Sequence, residues 1–216
     1  MDLLTRRVAH RLGCPVATGQ VQQGVLHLDA PLRQLHAKGA REVVIAPLML
    51  TAAPISLGSR PGRGEGPAHL SEVSLRQAEP LGGAPELIHA AMEALNNSER
   101  TPSTDTRIVL LVPHLDHPVL PGLSTHIGAV AAAGWRDGVV TTLPPNNAKC
   151  GLNGALDVGA HERVLLVPLT VAPGPFSSRV AECADLLGVE SANVSLHSAE
   201  ALTRLICQRV NTARRA

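Results

Sequence analysis

The chain has 216 residues, 44% hydrophobic and 17% charged, and its 19 basic and 18 acidic residues leave a net charge of +1. That balance singles out neither nucleic acid nor an anionic membrane as a partner, and two aromatic residues, Trp135 and Phe176, make no stacking platform for single strands. The apolar content excludes disorder and suffices for one large domain or two modest ones.

Met1 to Arg7 shows no apolar stretch before a cleavage site, so no secretory signal is expected. No run approaches the ~18 apolar residues of a membrane span. The first predicted element is a helix with Leu3, Leu4, Val8 and Leu12 on one face. A strand at 20–26, a helix at 31–38 and a strand at 42–50 follow. Leu57 to Pro67 is so dense in Gly and Pro that a regular helix is forbidden, and it reads as a flexible loop. A strand at 71–77 comes next, then a helix at 85–96 with Leu87, Ile88, Ala91, Met92 and Leu95 inward. The polar stretch 98–106 reads as a linker between halves 1–97 and 107–216.

The second half opens on Ile108 to Val112, a continuous apolar run expected of a parallel strand buried on both faces. Helix 119–133, strand 138–142, helix 150–158, strand 163–171, helix 176–187, strand 192–195 and helix 198–212 complete a βαβαβαβα pattern. The last helix places Leu202, Leu205, Ile206 and Val210 on one face. The two halves match. Gly39-Ala40-Arg41-Glu42 running into Val43-Val44-Ile45-Ala46-Pro47-Leu48 parallels Gly159-Ala160-His161-Glu162 running into Val164-Leu165-Leu166-Val167-Pro168-Leu169, with one inserted residue. Both runs continue into Ala-Pro, at Ala53-Pro54 and Ala172-Pro173. Leu81 to Leu87 likewise parallels Leu196 to Leu202. Two matches in one order indicate a tandem duplication. The first half lacks the opening strand of the second.

Few residues suggest chemistry. The Gly-rich loop has neither a Gly-Lys-Ser/Thr ending nor G-x-G-x-x-G spacing, and it precedes a strand, so it makes no phosphate cradle. No G-x-S-x-G elbow exists. Cys14, Cys150, Cys183 and Cys207 form no C-x-x-C pair and read as reduced thiols of a cytoplasmic protein. His10, His36, His89 and His161 fall in or beside amphipathic helices and read as surface or boundary residues. His114 differs. It follows the buried run at a strand's carboxyl end, where open parallel sheets bind ligands, and Asp116 and His117 come within three residues. Imidazole and carboxylate together suit a divalent first-row ion, although a His- and Asp-rich turn is also common on surfaces.

At these residues the chain resembles the sirohydrochlorin cobalto- and ferrochelatases of the CbiX/SirB kind. The resemblance runs through Gly39 to Leu50, Glu79-Pro80-Leu81-Gly82, Gly159 to Leu169 and Ala172-Pro173-Gly174. It implies an α/β fold of two tandem chelatase-like, flavodoxin-like three-layer units with parallel sheets. It also implies a lyase that inserts Fe2+ or Co2+, as substrate and without an organic cofactor, into a tetrapyrrole of siroheme or cobalamin biosynthesis. His114 matches the histidine that ends the family's first strand, but Leu115-Asp116-His117 replaces the Gly-Ser-Arg that follows it there. The family's second histidine falls on Ile55 and on Pro175, neither of which binds metal. Its acidic position at the end of strand two falls near His27. Carried over, the resemblance makes His114 the catalytic ligand or base, with His27, His117 and Asp116 as further metal candidates. Arg60, Arg63 and Arg179 become the groups that meet the macrocycle's carboxylates. It leaves open a homodimer, and also a degenerate member that binds without catalysis or partners an active subunit.

Overall fold

The computed structural model describes residues 2–22, 25–50, 73–113, 119–143, 152, 156 and 163–215. The chain forms two compact units, Met1–Leu81 with Thr203–Ala216, and Gly82–Leu202. The Gly-rich loop at 57–67 and most of the expected helix at 150–158 lie outside the described residues. No described helix is long and apolar enough to cross a membrane.

The first unit opens with α1 (Asp2–Leu12), which buries Leu4 and Val8. Leu3, expected on the same face, is exposed instead. The expected strand at 20–26 is a short antiparallel hairpin, β1 (Gln20–Gln22) with β2 (Val25–His27). Then come α2 (Asp29–Ala37) and β3 (Glu42–Ile45), which pairs in parallel with β4 (Ser74–Gln77).

In the second unit, α3 (Glu86–Asn97) precedes β5 (Thr106–Pro113). β5 lies between β6 (Asp137–Leu143) and β7 (Arg163–Pro168), and β7 also pairs with β8 (Glu190–Ser191). All these pairings are parallel. Ile108 through Val112 are wholly buried, as a central strand covered on both faces requires. On one face Val109, Leu111, Leu143, Leu152, Val164 and Leu166 pack with Val180, Cys183 and Ala184 of α6 (Pro175–Leu187). The opposite face carries α5 (Gly128–Ala132). A Cβ on Gly138 of β6 would stand 2.8 Å from Val130 Cγ2, so glycine is what lets this helix lie on the strand. The expected helix 119–133 is broken into α4 (Val119–Ser124) and α5. Thr125 Oγ1 donates to the Pro121 carbonyl at 2.8 Å, and His126 and Ile127 close i→i+3 turns, which ends α4 locally. No strand forms over the expected 192–195: the pairing with β7 falls just before it, at β8, and Ala192 N–H still reaches the Leu166 carbonyl at 2.8 Å. A 3-10 turn at Leu196–Ser198 leads into α7 (Glu200–Arg215).

The duplication survives in the hydrogen bonding. Ala78 N–H donates to Ile45 O in the first unit, and Ala192 N–H donates to Leu166 O in the second, both at 2.8 Å. Leu81 N–H donates to Met49 O, and Leu196 N–H donates to Thr170 O, both at 2.9 Å. Ile45 with Leu166, Met49 with Thr170 and Leu81 with Leu196 are pairs that the sequence repeat equates.

Cys14 and Cys207 stand outside any disulfide, but Cys183 is disulfide-bonded. The reduced-thiol expectation is therefore corrected for Cys183. Wide spacing along a chain says nothing about which sulfurs the fold brings within bonding reach.

Two polar contacts carry predictions for stability. Glu93 on α3 accepts the N–H groups of Glu200 at 2.6 Å and Ala201 at 3.1 Å, so a carboxylate distant in sequence caps α7. Glu93→Ala is expected to cost about 1–2 kcal/mol, read as a lower urea midpoint.

At the amino ends of β5 and β6, Arg107 Nε and Nη2 donate to the two oxygens of Asp137 at 2.8 and 2.9 Å. This hydrogen bonding, opposed by desolvation and assisted by the charges of Arg107 and Arg136, holds the Asp137 carboxyl below its ordinary 3.8. Its stabilisation is complete above the unfolded value and is lost as pH falls through the lower folded value. Asp137 is 39% exposed, so water screens the pair. Asp137→Asn should cost no more than about 1 kcal/mol at pH 7. The difference between wild type and variant should shrink in urea unfolding repeated below pH ~4.

Candidate functional site

The parallel sheet of the second unit determines where chemistry can be presented. β5 carries the chain through the core and releases it at Pro113, level with Leu143 of β6 and beyond the Leu111–Pro168 pair. His114 is the next residue, so the strand delivers the chain to the carboxyl edge of the sheet directly before it. His114, Asp116 and His117 themselves lie outside the described residues, as do Arg60 and Arg63.

The remaining candidates are described. His27 is the exposed last residue of β2, in register with Gln20. Because β2 is the return arm of a hairpin, His27 does not end a strand of a parallel sheet, contrary to the position expected for it. Arg179 lies half-buried in the second turn of α6. His27 belongs to the first unit and Arg179 to the second. Pro175 opens α6 after Gly174, where its missing N–H costs the helix nothing. Among the described residues, no three His, Cys, Asp or Glu side chains are grouped to hold a metal ion.

The carboxyl edge also carries polar groups that the sequence alone does not single out. Thr170 follows β7, and its Oγ1 lies 3.3 Å from Ser177 Oγ in the first turn of α6. Leu196 N–H and His197 N–H donate to the carbonyls of Thr170 and Val171, which fastens the 3-10 turn to this edge. At that turn Ser195 Oγ and His197 Nδ1 are 2.7 Å apart. If Nδ1 carries the proton and donates to Ser195, Nε2 keeps a lone pair able to bind a cation or accept a proton. If Ser195 donates, Nε2 is itself a donor. The one signal in the sequence is the repeat match at Leu196, which puts His197 directly after a position tied to the strand end.

No family model matches the chain, and no curated protein matches it. Solved structures do. SirB from Bacillus subtilis, with Fe3+, superposes with a TM-score of 0.62 at 14% identity, over 98% of this chain and 87% of that one. DR2241 from Deinococcus radiodurans is a multi-domain protein with structural similarity to chelatases and two additional domains. It superposes with a TM-score of 0.60 at 18% identity, over 96% of this chain and 50% of that longer one. CbiX, the terminal enzyme for biosynthesis of siroheme in denitrifying bacteria, gives a TM-score of 0.50 at 15% identity, over 97% of this chain and 89% of that one. At these identities the likeness is one of fold, and the chain has the chelatase-like α/β fold that these structures share.

Proposed function

We propose that the protein is a sirohydrochlorin chelatase-like enzyme that inserts Fe2+ or Co2+ into a tetrapyrrole. One observation carries the reading. Within a chelatase-like fold, the buried central strand β5 ends directly before His114. A neutral imidazole there is a suitable ligand for a hydrated first-row ion and a suitable base for a pyrrole proton. In this reading His114 is ligand or base, and His117, Asp116 and His27 are further ligands. Arg60, Arg63 and Arg179 pair with the macrocycle's carboxylates, which guanidinium groups bind in bidentate fashion. Insertion replaces two pyrrole protons with one divalent ion, so the base must release protons between turnovers. Activity is therefore expected to fall as pH drops below the ordinary imidazole range near ~6.5.

A second reading is favoured by Pro175. It opens α6 at the position where the resembling family has its second histidine, and proline offers no side-chain donor to a metal. In that reading the chain binds the tetrapyrrole, or partners an active subunit, without turnover. An anaerobic absorbance assay separates the two. Metal-dependent conversion of sirohydrochlorin above the protein-free rate supports the enzyme. A saturable spectral shift of the macrocycle without conversion supports the binding protein.

A further inference from the structure

The turn at the carboxyl edge of the second sheet carries an imidazole that the first copy of the repeat lacks. Leu196 N–H donates to Thr170 O and Leu81 N–H to Met49 O, both at 2.9 Å, so one bond fastens the chain in each unit. The next residue is His197 in the second unit and Gly82 in the first. Since the bond also forms where glycine follows, the imidazole is not what fastens the chain.

His197 is nevertheless held at two points. Its N–H donates to Val171 O at 2.9 Å, which fixes the backbone. Its Nδ1 lies 2.7 Å from Ser195 Oγ, which fixes the ring. The residue is half-buried. Its Nε2 has no hydrogen-bond partner among the described residues and is not a buried atom, so it is open to solvent. A metal-bound histidine characteristically donates its other ring N–H to an oxygen, and that bond sets the tautomer and aims the ligating nitrogen. Ser195 stands where that oxygen is needed.

The place in the sheet agrees. β7 lies beside β5, with Leu111 paired to Pro168. Val171 is three residues past Pro168, and His114 is three residues past Leu111. The turn bearing His197 is therefore tied to the chain leaving β7, next to the strand end that delivers His114. Open parallel sheets assemble ligand sites from the loops that follow such neighbouring strands.

Resting on the reading above, we infer that His197 Nε2 is a ligand of the divalent ion that enters the reaction. Ser195 is its positioning residue, accepting the Nδ1 hydrogen bond. A first-row ion held by one imidazole from each of two strand ends keeps water in its other positions, and the macrocycle can displace that water.

The test uses Co2+ alone with the full chain, without macrocycle or turnover. Anaerobic titration is followed by visible absorption and by the assigned His197 imidazole signal of isotope-labelled protein. The ion should broaden that signal saturably, at the concentrations that develop the absorption. His197→Gln should weaken Co2+ binding about ten-fold or more, and Ser195→Ala about ten-fold. His126→Gln, at an exposed histidine of the same unit, should leave the affinity unchanged. A merely structural role would lower the urea midpoint of the two variants and leave the affinity of the folded protein as it was, which would overturn the inference. If His197→Gln fails to fold, the wild-type broadening and the Ser195→Ala affinity decide. His114→Ala, titrated alongside, separates the two claims. Affinity lost with His114→Ala but kept with His197→Gln overturns the role of His197 and leaves His114 in place. Affinity lost with His197→Gln but kept with His114→Ala supports His197 and removes His114. A wild type that binds no Co2+ saturably overturns both.

Discussion

His114→Ala is expected to reduce the rate of metal insertion by about 100-fold or more, the size of effect associated with losing a general base or a metal ligand. The variant should fold normally, because β5 is complete at Pro113, before the substituted residue. Circular dichroism and the urea midpoint should therefore match the wild type while the anaerobic rate collapses. His114→Gln separates two roles. Its amide can still ligate weakly but cannot take a proton near neutrality. If His114 acts as base, Gln should be as poor as Ala; if it acts mainly as ligand, Gln should recover part of the rate at high metal concentration.

The second large effect is on stability. Leu111→Ala should cost about 2–5 kcal/mol. Leu111 is wholly buried and belongs to the cluster of Val109, Leu143, Leu152, Leu166 and Val180 that joins the sheet to α6. Truncation leaves a cavity between two elements that are each held by further contacts, so the space cannot close cheaply. Val43→Ala, at a half-buried site on β3, should cost much less, about 1 kcal/mol. Urea unfolding of the two variants beside the wild type measures this ordering. Comparable losses for both would contradict the burial contrast between the repeat copies.

Much of the framework is legible in the sequence because it rests on local pattern. Leu87, Ile88, Ala91, Met92 and Leu95 recur at helical spacing, and all five are buried on α3. Leu202, Leu205, Ile206 and Val210 are likewise all buried on α7. Ile108 to Val112 is an apolar run with no polar face to expose, which suits a strand covered on both sides. The tandem match is visible as residue identity, and the structure repeats it as hydrogen bonds at Ile45 and Leu166.

Other features depend on partners distant in sequence. Gln23-Gly24, between Gln20–Gln22 and Val25–His27, is a weak local sign of a hairpin that a single strand at 20–26 passes over. With no central strand beside β3 among the described residues, the segment satisfies its backbone groups by pairing with itself. The cap that Glu93 places on α7 joins residues more than 100 positions apart, as the separation of 107 between Glu93 and Glu200 shows. No capping motif at Glu200 announces it. The Ser195–His197 pair escapes the sequence for a related reason: it becomes notable only once the turn at Leu196 is fastened to the end of β7. Of the candidate site, the position of His114 at the mouth of β5 is legible, because it follows from one apolar run and one proline.

The anaerobic initial rate of Co2+ insertion into sirohydrochlorin by the wild-type protein, followed by absorbance against a protein-free control, tests metal insertion at the mouth of β5 most directly. The expected result is a rate above the control that saturates with both metal and macrocycle. A rate equal to the control at every protein concentration, from a protein shown to be folded, would contradict it.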